Sequence, residues 1–466
     1  MNITPNLNYK YFYFSHKNSL EMLTFTRTLM AVVSLAMVAW KGAMAVPNGF
    51  DSEDLTSDQS YETAYETSDD YFYDATPILN ITLHHNDETL AFFKHVGASL
   101  ETEMREGKEC VLQRQAEPKT INISTCTPQD IPEKIDHRLE FEDLTIMVMS
   151  THSEKSLYVI QDSKLSLLGK LFKAFGVLNA RHLTLKQIGG AVSDRHNMLS
   201  APPTILNIKS LRIHDVNILG INWLVAATEL HTNKLVLELE DFPGATNLNF
   251  LAKLTHSATL LELRLINMPS LAKLDCALLH QGGIKNKLVL RRLSPSFKLT
   301  PKDSTAILEK KWQEIECDLG VWAAMPQPPN SNFAIDRLVL NSASEQIALL
   351  KQEGKEAAPT PNTVAHLVIN FTEDHYLLTT PTLHLIFGWV GTCLTALKTI
   401  SINSVELDKA TQTYLAEQSL RFKTLPLLSK LTIEEHAYTL NNKPSTVGNI
   451  SEEIWDGKRI TRSTPV

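Results

Sequence analysis

Apolar residues along this chain keep changing their spacing. In LELRLINMPSLAKL, residues 261–274, Leu263 and Leu265 are two apart, as on one face of a strand, whereas Met268, Leu271 and Leu274 follow at steps of three, as on a turn or a helix. The same paired leucines or isoleucines recur at Leu144-x-Ile146, Leu183-x-Leu185, Leu211-x-Ile213, Leu235-x-Leu237, Leu288-x-Leu290, Leu338-x-Leu340, Leu367-x-Ile369, Ile400-x-Ile402 and Leu431-x-Ile433. From Leu183 onward the steps are 28, 24, 28, 25, 50, 29, 33 and 31 residues, so all but one are a single period. Between the pairs lie helical patterns: LLGKLFKAFGVL, NWLVAATEL, NLNFLAKL, SEQIALLKQEG and DKATQTYLAEQSLRF. A short strand followed by a helix cannot bury its own apolar face. Stacked copies can, with a parallel sheet on one side and helices on the other.

Two stretches depart from that rhythm. The 50-residue step spans residues 303–325, where Leu308, Trp312, Ile315, Leu319 and Trp322 fall at steps of 4, 3, 4 and 3 behind the N-cap types Asp303 and Ser304. This spacing predicts a long amphipathic helix, ended by PQPPNSN at 326–332 and dividing the repeats into two blocks. Residues 377–397, the most hydrophobic stretch after the N-terminal one, contain His384, Pro381 and several threonines, which fits a buried helix better than a membrane span.

With these pieces in place the chain resembles the leucine-rich-repeat family, whose motif is L-x-x-L-x-L-x-x-N/C-x-L. Ile208-x-x-Leu211-x-Ile213 and Leu260-x-x-Leu263-x-Leu265 match its first half. The resemblance covers roughly residues 135–440. It implies an α/β solenoid bent into a horseshoe, with short parallel strands on the concave face and helices on the convex one. At the family's Asn or Cys position this sequence has Ile188, Val216, Met268 and Val405, so the polar ladder inside the turns is missing and the repeats should be irregular.

Composition then sets the borders. Residues 22–45 contain Arg27, an apolar run from Leu29 to Trp40, and Ala43-Met44-Ala45, the pattern of a secretory signal cleaved before Val46, with Met22 as the start. Losing residues 1–45 removes four basic residues and one acidic one, and leaves 40 basic against 51 acidic. Eleven of those acids lie in residues 46–90, which hold no Lys or Arg. The predicted order is therefore signal 1–45, acidic arm 46–76 without a core of its own, N-terminal cap 77–134, first repeat block 135–300, helix and Pro-rich linker 301–332, second block 333–440 and tail 441–466. Cys110 and Cys126 bracket a short polar stretch and suit a disulfide in an oxidising compartment, while Cys276 and Cys393 lie in apolar helical patterns. Asn80, Asn122, Asn370 and Asn449 head N-x-S/T sequons.

Catalytic and cofactor motifs are absent: G-x-S-x-G, H-E-x-x-H, G-x-x-x-x-G-K-S/T, G-x-G-x-x-G and C-x-x-C do not occur. His84-His85 near Asp87 and Glu88, and Glu434-Glu435-His436, read as solvated groups, so no metal or cofactor is expected. No basic stripe with interleaved aromatics supports nucleic-acid binding. What remains is the outward face of the strands. In L-x-L the leucines point inward and the residues around them outward. That places Lys186, Arg212, His214, Arg264, Arg291 and Arg292 on the first block and Asn341, Asn370, Asn403, Glu434 and Glu435 on the second, a face grading from basic through amide to acidic. The expectation is a secreted, non-enzymatic protein that binds another macromolecule on this face, an acidic one by preference, with its own acidic arm as a candidate occupant. A secreted enzyme with a dispersed site and a protein tethered by an uncleaved N-terminal segment are the alternatives.

Overall fold

The computed structural model describes residues 82–83, 87–148, 163–188, 202–255, 258–325, 334–351, 363–373, 375–394, 396–417, 421–422, 425–439 and 454–455. The signal segment, the acidic arm, the PQPPNSN stretch, Asn80 and Asn449 lie outside them.

The protein is α/β, built on one large, mostly parallel sheet of 15 strands. Its main strands follow chain order: β1 Lys119–Asn122, β2 Glu140–Met147, β3 Val177–Lys186, β4 Thr204–His214, β5 Lys234–Glu240, β6 Thr259–Met268 and β7 Ile284–Leu293. Then come β8 Lys311–Asp318, β9 Ala334–Ser342, β10 Thr363–Phe371, β11 Thr399–Asn403, β12 Lys430–Ile433 and β13 His436–Thr439. Arg114–Gln115 and Thr228–Leu230 add two short pieces at its margins. All neighbours pair in parallel except β12 and β13, which form an antiparallel hairpin.

Helices fill the connections. They are α1 Asp87–His95 ahead of the sheet, then α2 Ser163–Phe175, α3 Ile218–Ala227, α4 Phe250–Leu254, α5 Ala277–His280, α6 Pro301–Leu308, α7 Leu319–Ala323, α8 Thr380–Cys393 and α9 Lys409–Glu417, with a 3-10 helix at Ser344–Lys351. Both residues of each L-x-L pair are fully buried and pack with the helices in one apolar cluster running from Phe92 to Ile433. Burying that much apolar side chain is what drives each strand-helix unit to stack on the next. Helix α8 occupies the apolar 377–397 stretch and buries Leu383, Ile386, Phe387 and Val390. Among the described residues no helix is long and apolar enough to cross a membrane.

The structure corrects the expected helix over 303–325. Capped by Thr300, whose hydroxyl accepts from the Asp303 amide while the Asp303 side chain accepts from the Thr300 amide, α6 ends at Leu308. The chain then extends as β8, with Trp312, Ile315 and Cys317 buried. Ile315 pairs in register with Leu288 and Leu338, and Cys317 with Leu290 and Leu340. The 50-residue step is thus two repeats of 27 and 23 residues, and the sheet runs through it unbroken from β7 to β9. Steps of 4 and 3 arose because residues inside a strand were counted together with residues of the helices flanking it.

A second correction concerns β5. Leu237 and Leu239, not Leu235 and Leu237, align with Leu211 and Ile213 and with Leu263 and Leu265. Two equal steps of 26 residues replace the 24 and 28 counted from the sequence.

The missing Asn positions have a backbone explanation. Seven strands end at or beside a residue with positive φ: Gln187 (59°), Asp215 (54°), Asp241 (55°), Asn267 (52°), Arg292 (49°), Ser404 (61°) and Glu434 (49°). Amides of Gln187, Asp215 and Asp241 still donate to the next strand, at His214, Glu240 and Ile266 respectively. The left-handed turn then swings the following residue inward, and Ile188, Val216, Phe242, Met268 and Val405 are all buried. An apolar side chain therefore occupies the place where the leucine-rich-repeat pattern has a polar one. Behind the first of these corners the Ile188 carbonyl lies 2.5 Å from where a Cβ on Gly220 would stand, so α3 needs glycine there.

The expected disulfide does not form. Cys110 and Cys126 are both buried and not disulfide-bonded, contacting the carbonyls of Lys108 and Asn122 at 3.8 Å each. Cys110 lies on the strand Lys108–Leu112 of a separate three-stranded antiparallel sheet, and Cys126 follows β1 of the large one. Cys276, Cys317 and Cys393 are also buried and not disulfide-bonded.

Candidate functional site

Parallel pairing aligns the outward residues into three rows. Ahead of the inward pair run Glu262, Lys287, Glu314, Arg337 and His366; between its members run Arg212, Glu238, Arg264, Val289, Glu316 and Val339; after it run Lys186, His214, Glu240, Ile266 and Arg291, then Asp318, Asn341, Asn370 and Asn403. The sequence reading found Lys186, Arg212, His214, Arg264, Arg291 and the three asparagines of these rows, and missed Lys287, Arg337 and His366. It also missed every acid in them: Glu238, Glu240, Glu262, Glu314, Glu316 and Asp318.

Those acids change the electrostatics. Arg212 pairs with Glu238 at 2.9 Å and also with Glu240. Arg264 holds Glu262 at 2.6 Å and reaches Glu238 at 3.6 Å. Lys287 and Arg337 flank Glu314 at 2.5 and 3.3 Å, and Arg291 meets Glu316 at 3.2 Å. The face is a ladder of alternating charge, not a bare basic patch. Opposite charges on adjacent strands sit within side-chain reach and stabilise the pairing. Hydrogen bonding to Glu240 raises the Arg212 guanidinium further above its usual range. Arg212 is 45% exposed at its side chain and Arg264 35%, so both remain available to a second molecule.

Toward the C-terminal end the third row becomes an amide ladder. Asn403 donates to Asn370 at 2.9 Å, Asn370 to Asn341 at 3.2 Å, and Asn341 to Glu316 at 3.2 Å. Asn370, a sequon residue, has its side-chain nitrogen within this ladder. Asn122, the other described sequon residue, accepts from the Ser124 amide at 3.0 Å. Beside the ladder, Val339 and Val368 are buried.

Three expected face residues do other work. Arg292 stands at a left-handed corner, donates its amide to Asp318 at 2.7 Å and only approaches Glu240, at 3.8 Å. Burial pushes the Asp318 carboxyl up, an effect its Arg292 amide partner opposes. Glu434 is also a corner residue, and its carboxylate accepts from the Val405 amide at 2.5 Å. Glu435 lies exposed in the turn between β12 and β13.

At the ends of β4 and β5 the rows produce one further grouping. His214 Nε2 lies 2.8 Å from Asp241 Oδ2 and 4.0 Å from Glu240 Oε2. Among the described residues this is the one set of three His, Cys, Asp or Glu side chains able to meet around a single ion. The sequence signal for it was present but divided: the histidine is on one repeat, and the Glu-Asp pair follows Leu239, whose frame was misjudged by two residues. No protein-family model matches the chain, and comparison with curated proteins finds no relative.

Proposed function

We propose that this chain is an exported interaction protein of leucine-rich-repeat type, and not an enzyme, that binds a macromolecular partner on the outward face of its sheet. The observation that carries the reading is the register. Consecutive repeats hold partly exposed Arg, Glu, His and Asn side chains in continuous rows on the face opposite the helices. Repeats that contact only their neighbours build extended surfaces of this kind, and the small rotation per repeat makes a horseshoe whose strands line the concave side. Strand-borne side chains with fixed backbones need little ordering on contact, which favours recognition.

Its chemistry suits a partner with charges of both signs. An acidic partner has to compete with Glu238 and Glu240 for Arg212, whereas a partner offering cations to the glutamates and anions to the arginines replaces pairs one for one. That exchange favours specificity more than raw affinity. Export rests on the 22–45 segment.

The test begins with a photo-crosslinking residue placed at position 184, next to Arg212 on the adjacent strand, to identify the partner. Affinity for that partner is then measured with Arg212→Glu, Arg264→Glu and Arg291→Glu combined. The expected result is at least a tenfold loss with an unchanged circular dichroism spectrum. Unchanged affinity would move the site off this face.

A further inference from the structure

We propose that His214, Glu240 and Asp241 form a binding site for one divalent transition-metal ion of the Zn2+ type. The inference is independent of the partner-binding reading, since it concerns the protein alone.

Its basis is how the corner is built. His214 ends β4 and Glu240 ends β5, and parallel register places them side by side. Asp241 follows in the left-handed conformation at φ 55°, and its carboxylate meets the histidine. Asn267 donates to Asp241 Oδ1, which fixes that carboxylate and leaves Oδ2 directed at His214. One ligand atom from each of the three residues lies within 4.8 Å of the others.

The spacing suits an ion. Zinc binds imidazole nitrogen and carboxylate oxygen at about 2.0–2.2 Å, which sets tetrahedral ligand atoms roughly 3.4 Å apart. The separations from His214 Nε2, 2.8 Å to Asp241 and 4.0 Å to Glu240, bracket that distance. Three side chains leave the fourth position to water, and the partial exposure of His214 and Asp241 gives the ion an entry path. One imidazole with two carboxylates selects a zinc-like ion over calcium or magnesium, which take oxygen alone.

Protons and charges also balance. A metal at Nε2 replaces the contact with Asp241 and leaves the ring proton on Nδ1, a buried atom without a hydrogen-bond partner. Two carboxylates neutralise the ion. Arg212, released in part from Glu240, retains Glu238 at 2.9 Å.

The experiment uses the full chain stripped with EDTA and titrated with ZnCl2 by calorimetry. Far-UV circular dichroism checks the fold, and a parallel Co2+ titration is read by absorption. The expected result is one ion per chain with micromolar affinity, and a Co2+ spectrum without thiolate charge transfer. Asp241→Asn and His214→Ala should each lower affinity at least tenfold while unfolding like the wild type in EDTA. Should either variant fail to fold, Glu240→Gln answers in its place. No saturable binding, equal affinity in the variants, or a thiolate signature showing that the buried cysteines hold the metal would each overturn the site.

Discussion

Lys310 occupies the turn between α6 and β8, with its ammonium 4.3 Å from the centre of the Trp312 ring and its nitrogen buried without a hydrogen-bond acceptor. Burial, seconded by Lys285, lowers its pKa from 10.5 to about 8. The folded chain therefore binds fewer protons here than the unfolded one between pH 8 and 10.5, and linkage makes stability rise with pH across that window. Lys310→Met should remove that rise and raise stability at pH 7 by up to roughly 1 kcal/mol, the cation-π contact being the part forfeited. Urea unfolding of both proteins at pH 7, 8.5 and 10 checks it, and parallel pH profiles would refute it. Asp303 is the opposite case, a buried charge that is fully used. Its carboxylate accepts from the Thr300 amide at 3.0 Å, the Thr300 hydroxyl at 2.7 Å and His280 Nε2 at 2.8 Å. Asp303→Ala strips the cap from α6 and leaves the part-buried His280 ring unpaired, so the expected loss is about 2–4 kcal/mol. A lower urea midpoint with an unchanged slope is the signature of that change.

The strand β8 is where element-scale reading failed, and it supplies a direct test. Ile315 is buried between Leu288 and Leu338, so Ile315→Ala should cost about 2–4 kcal/mol through cavity formation. The amides along β8 should resist hydrogen exchange as long as those of β7 and β9, and fast exchange there would contradict the unbroken sheet. Elsewhere, legibility followed physical simplicity. Inward pairs such as Leu183-x-Leu185 and Leu367-x-Ile369 were visible because a strand half-buried against helices must alternate, and nothing else in the chain alternates at that period. Failures came where a second signal overlapped the first. Trp312 and Trp322 stand on opposite sides of a strand-to-helix change yet share a helical spacing, and Leu235 offered a third leucine to a two-leucine pattern. The corners were illegible for a different reason: Gln, Asp, Asn, Arg and Ser all take the left-handed conformation here, so no residue type marks them. The outward face was half legible. Arg212, Arg264 and Arg291 were seen, but Lys287, Arg337 and the glutamates that pair with all of them were not, because pairing depends on register and register is fixed by neighbours rather than by any one repeat.

An open sheet has two edges, and each edge strand presents unpaired backbone groups able to recruit another chain. At the N-terminal end, Arg114–Gln115 and β1 pair with β2, while α1 brings Phe93 into stacking contact with Phe141, ring centres 5.9 Å apart. At the other end the device is β13, which reverses direction after β12 and pairs His436 with Ile433, Ala437 with Thr432, Tyr438 with Leu431 and Thr439 with Lys430. Tyr438 packs partly buried on the main cluster, and burial pushes its phenol pKa up. Tyr438→Pro removes one ladder donor and one core contact at once, so β13 should detach and bare the edge of β12. The expected outcome is concentration-dependent association seen by size-exclusion chromatography, with global stability lowered by only about 1–2 kcal/mol, since the rest of the sheet is untouched. Tyr438→Phe keeps both the ladder and the packing and should remain monodisperse to the same extent as the wild type. If the proline variant stays as monodisperse as the phenylalanine one, the hairpin is not what protects this end.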